Sequence, residues 1–162
     1  DNPKVKQTMI ETAKDAEAKA LEARVKAGRQ AVSKQIGELL TVALVSKTFL
    51  PSDYKSGRPQ DSIQIDLALA NSGDKDITGV KGIVSFKDIF GDLIRAVNLS
   101  YDEGIPAKKS IVWRGSISYN QFEQRDIKLR SVDMEKLQFS FEPEVVIFSD
   151  GTRISASDLT VK

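Results

Sequence analysis

The side chains able to do chemistry in this chain are carboxylates, hydroxyls, amines and one indole. Its 162 residues include no His and no Cys. That removes a zinc site of the usual nitrogen and sulfur type, a Ser-His or Cys-His nucleophile, thiol redox chemistry and disulfides. The carboxylates are scattered. Asp74 and Asp76, Asp88 and Asp92, and Asp102 and Glu103 sit beside turn glycines. Asn71-Ser72-Gly73-Asp74-Lys75-Asp76 has the oxygen density of a calcium loop, but it lacks the terminal Glu and carries Lys75. Turn chemistry accounts for it better. Ser149-Asp150-Gly151-Thr152 invites a catalytic reading, yet Asp-Gly between Val145–Phe148 and Arg153-Ile154 is a hairpin signal. Gly79-Val80-Lys81-Gly82 lacks the spacing and the following helix of a phosphate-binding loop. Trp113 alternates along a strand and reads as core, as do Phe86, Phe90, Phe139, Phe141 and Phe148. A lipocalin-like cavity needs a closed barrel, and the pattern signals none. No catalytic, cofactor-binding or metal-ligating residue is assigned, and the chain reads as a non-enzyme without a cofactor.

Charge adds little. Lys plus Arg number 24 against 23 Asp plus Glu, for a net charge of +1. Residues 1–38 carry eight basic and six acidic side chains, and the remainder carries 16 and 17. Neither part has the basic footprint of a nucleic-acid binder. The longest apolar-rich run, Leu39 to Leu50, is broken by Thr41, Ser46, Lys47 and Thr48, too short for a transmembrane helix. The chain begins Asp1-Asn2-Pro3. That start is read as a processed or truncated product, with room for a lipid anchor upstream of residue 1.

The elements that must position these residues follow two periods. From residue 4 to about 40, Ala, Lys, Glu, Arg and Gln dominate, the best helix formers. Leu21, Val25, Gly28, Val32, Ile36 and Leu39 recur in steps of three and four and keep one face. Leu21, Val25, Val32 and Ile36 are the candidate interaction face, for a protein partner or for self-association. The front half of this helix is small or polar on nearly every side and is expected to protrude.

Beyond residue 40 the period drops to two. Ile63, Ile65, Leu67 and Leu69 alternate with polar or small neighbours, and Val80–Phe86, Leu93–Tyr101, Ile111–Ser118 and Leu137–Phe141 follow. Leu40–Phe49 is the expected first strand, and Pro143 is expected to interrupt the last long one. Tyr119–Glu135 reads as a crossover with a helical turn near Asn120–Arg125. Leu50–Asp61 reads as an exposed loop. The predicted fold is mainly β: an antiparallel immunoglobulin-like β-sandwich (39–162) preceded by a long amphipathic α-helix (1–38).

Some of these residues resemble a known module. The strand Ile65-Asp66-Leu67-Ala68-Leu69-Ala70-Asn71 runs into the polar turn Ser72-Gly73-Asp74-Lys75-Asp76-Ile77. Val80–Lys87 then leads into Asp88-Ile89-Phe90-Gly91-Asp92-Leu93-Ile94, and Gly104–Ser110 precedes the next strand. That order is similar to the immunoglobulin-like module of the FxLYD type, common in bacterial exported proteins and lipoproteins. It covers about half the chain. Trp113 and the Tyr119–Glu135 insertion depart from it. The resemblance implies an exported adhesive or scaffolding role without a conserved catalytic site, and a periplasmic, lipid-anchored or secreted location. The expectation is a cell-envelope interaction module. The alternative is a carrier of a small apolar or lipid ligand held between helix and sheet.

Overall fold

The computed structural model describes residues 2–155. A long helix, α1, spans Pro3–Gly37. The side chain of Asn2 caps it by accepting from the Lys4 amide, and Pro3 sits where its missing N–H costs nothing. Seven strands follow, β1 (Leu40–Leu50), β2 (Ser62–Asn71), β3 (Ile77–Lys87), β4 (Leu93–Tyr101), β5 (Ser110–Ser118), β6 (Gln138–Phe148) and β7 (Arg153–Ser155). A second helix, α2 (Gln124–Ser131), joins β5 to β6.

All pairings are antiparallel. One sheet has the order β1-β2-β5 and the other β4-β3-β6-β7. The chain is therefore mainly β, two facing antiparallel sheets preceded by a long helix, as the change of period requires. The inner faces supply Ile63, Ile65, Leu67 and Leu69 from β2 and Val80, Val84 and Phe86 from β3. These are the residues that alternate in the sequence.

The two lateral seams of the sandwich differ. At one, the last third of α1 lies against β1, β6 and β7, and Val32 and Ile36 enter the common core. At the other, residues of β4 and β5 border a cavity, and α2 packs on β4 through the Arg95–Asp126 pair. Val32 and Ile36 of the helix thus belong to the same buried cluster as the strand residues.

Three expectations change. Pro143 does not interrupt β6, which runs unbroken from Gln138 to Phe148. It falls opposite Gly82 at a register shift, where the ladder is already irregular. The helix after β5 begins at Gln124, later than expected. Asn120 is held outside it by a turn in which its side chain accepts from the Phe122 amide, while its own amide donates to Asp126. Phe90 is not core: it is 82% exposed in the turn between β3 and β4.

The lower end of the sandwich is closed by α2. Its Leu129 is fully buried. The Arg130 guanidinium lies 3.5 Å from the centroid of the Phe49 ring, which meets Tyr119 edge-on at 5.1 Å. Lys47 on β1 donates to the carbonyls of Leu129, Arg130 and Val132, capping the end of α2 from a distant strand.

Candidate interaction site

The four face residues do not share one environment. Val32 and Ile36 are each 1% exposed and belong to the core of their own chain. They are unavailable to a partner. Leu21 is 62% exposed and Val25 is half-buried. The 3.6-residue stripe is real, but the sandwich ends before the stripe does, so its rear half is internal and only Leu21 and Val25 remain accessible.

Between Leu21–Ser33 and β6 lies an open groove lined by Leu21, Val25, Glu22, Lys26, Arg29 and Glu142. Four of those six are charged. This is the space between helix and sheet, and it sets the apolar side chains of Leu21 and Val25 beside those charges.

A second helical face carries more exposed surface. Val5, Met9, Ala13, Ala16, Ala20, Ala23, Ala27 and Ala31 recur in steps of four and three, and all are exposed. At about 100° per residue they lie roughly opposite Val32 and Ile36. Lys6, Arg24, Lys19 and Lys26 flank them, with Glu17 the one acid at their border. The sequence holds this signal at heptad spacing, but alanine has too little apolar bulk to register beside Leu21 or Ile36. Every described residue from 3 to 24 is exposed.

Several of the carboxylates have structural partners. Asp66 on β2 receives two hydrogen bonds from Arg114 on β5, at 2.8 and 3.0 Å, and one from Ser46 on β1. Arg114 foremost, then Ser46, hold its carboxyl below the usual range. Asp88 accepts from Lys128 at 2.7 Å and from the amides of Phe90 and Asp92, which lower it likewise. Buried Asp126 pairs with Arg95. Asp76 accepts from the Ala107 amide, and Asp74 pairs with Lys108. Asn71 instead donates to the carbonyls of Lys75 and Ile105 and accepts from the Gly73 amide. The loop that superficially resembles a calcium site thus turns its side chains to backbone and lysine. Asp150 accepts from Thr152 and pairs with Lys75 within the β6–β7 hairpin, where Gly151 takes φ +84°.

No protein-family model matches the chain, and no curated protein matches it. One solved structure, described as "X-ray structure of Northeast Structural Genomics Consortium target SoR45", is similar with a TM-score of 0.40 and 8% identity. The similarity covers 72% of this chain and 79% of that one. No helix among the described residues is long and apolar enough to cross a membrane.

Proposed function

We propose that this protein is a non-enzymatic interaction module of the cell envelope, in which the sandwich is a stable platform and α1 docks or tethers it. The observation that carries this reading is the exposure of α1 from residue 3 to residue 24. A helix in a protein draws most of its stability from packing. A stretch of more than five turns without a covering element is suited to a partner. The fitting partner is another helix with a small-residue seam and acidic flanks, which complements Lys6, Lys19, Arg24 and Lys26. The sequence resemblance to exported immunoglobulin-like modules supports the envelope location.

The test is site-specific photo-crosslinking in source cells from Ala16 and Ala20, with Lys55 on the far loop as control. A discrete crosslinked protein from the helix positions alone supports docking. No adduct from either helix position overturns it. Cell fractionation tests the location separately: recovery with the envelope supports it, and recovery with cytoplasmic proteins overturns it.

A further inference from the structure

The open seam between β4 and β5 leads into a cavity of about 290 Å³ between the sheets. We propose that this cavity is a binding site for a small, uncharged, apolar molecule. Its accessible apolar surface comes from Val97, Trp113 and Ile117, which lie over the covered core residues Leu67, Val84 and Phe86. Arg95 and the exposed residues Asn98, Ser116 and Ser118, which alternate with the inward side chains of β4 and β5, also border it. Apolar walls with a few polar groups are the usual make-up of a small-molecule site.

The cavity is kept open by a specific arrangement. The ring of Trp113 lies over Gly115, two residues along its own strand, and a Cβ at position 115 would collide with the six-membered part of the indole. Glycine therefore lets the largest side chain at the seam lie along its strand. The indole forms a wall and does not fill the space. At the opposite seam the same kind of opening is filled from outside, by Val32 and Ile36 of α1.

Charge selects the ligand class. Arg95 is the one ionisable residue in the lining, and its guanidinium is held by Asp126, whose side chain is 4% exposed. With Arg95 neutralised by Asp126, which also accepts from the Asn120 amide, the lining holds no unpaired positive charge to reward a ligand carboxylate. An anionic head group is thereby disfavoured and a neutral one admitted. A dry cavity of ~150 Å³ with aliphatic walls takes benzene. This larger one has room for a chain of about eight carbons or a two-ring hydrocarbon by the same reasoning. The inference is independent of helix docking, because α1 does not line the cavity.

The matched probes are 1-octanol and octanoate at pH 8, titrated into the full chain. Trp113, the one Trp of the chain, reports on the site by its emission, and amide NMR maps the contact. The expected result is a saturable change with 1-octanol, shifts centred on Val84, Val97 and Ile117, and at least ~10-fold weaker binding of octanoate. That ratio corresponds to ~1.4 kcal/mol. Val97→Phe fills the cavity and is expected to abolish the response. Failure of 1-octanol to saturate, shifts centred elsewhere, or octanoate binding as tightly each overturns the proposal. The wild-type map decides the matter even if Val97→Phe fails to fold. Loss of crosslinking from α1 bears only on the docking reading.

Discussion

Lys47 Nζ lies 2.6 Å from the carbonyl oxygen of Leu129, a residue 82 positions further along the chain. Two more carbonyls, of Arg130 and Val132, complete the set of acceptors around the ammonium. The last turn of a helix normally leaves its carbonyls to water or to a local cap. Here a strand residue supplies all three donors of one ammonium.

Replacing Lys47 with Met keeps the aliphatic stem and removes the donors. Leaving partly buried carbonyls unpaired costs about 1–3 kcal/mol. The thermal midpoint is expected to fall by roughly 4–8 °C for a loss of about 2 kcal/mol in a chain of this size. Differential scanning calorimetry checks this, and an unchanged midpoint would show that water replaces the lysine.

Acid is expected to destabilise the fold in a defined window. The carboxyls of Asp66 and Asp88 titrate lower in the folded chain than the ordinary value near ~3.9. Their stabilisation is fully present above that value and is lost as pH falls through the lower folded one. With no His or Cys, no side chain of ordinary pKa titrates between about pH 5.5 and 7.5. Urea melts should therefore give a plateau across that range and a decline below about pH 4. Asp66→Asn is expected to make the decline shallower; an equally steep decline would assign it to other groups.

Two glycines should differ in cost. The three atoms nearest a Cβ at position 115 all belong to the Trp113 ring, which can rotate, whereas a Cβ at position 82 meets the Phe141 ring and the backbone oxygen of Glu142 at 2.5 Å. Backbone cannot swing aside. Gly115→Ala is expected to cost about 1–3 kcal/mol, with a shift in Trp113 emission. Gly82→Ala should cost more and reduce soluble yield. Equal midpoints for the two variants would contradict this.

The two ends of α1 should respond oppositely to change. Deleting residues 3–20 removes only exposed side chains and should move the midpoint by less than about 2 °C. Ile36→Ala opens a hole in the shared core and should cost about 2–5 kcal/mol. A large loss from the deletion would place the front half in contact with the sandwich.

The strands were legible because Ile63–Leu69 and Val80–Phe86 alternate cleanly, and alternation reports one buried face. The start of α2 was not, because the Asn120 turn and the distant Lys47 cap leave no local periodic pattern. Phe90 misled because bulk alone does not distinguish a core strand from the tip of its hairpin. The interaction face was half legible: the stripe shows which side of α1 packs, but not how far the sandwich extends beneath it. The β4–β5 cavity was invisible, since it depends on two strands meeting across the sheets and on where one indole lies.

The docking of α1 also sets an order of events during synthesis. Ile36 emerges well before β6, Gln138–Phe148, against which its helix packs. At ~5–20 residues per second, that interval lasts roughly 5–20 s. During it the Val32–Ile36 face has no seam to enter. Closure of this side of the molecule is therefore a late event, and a nascent chain halted before β6 presents an unpaired apolar helix end to the surrounding chaperones.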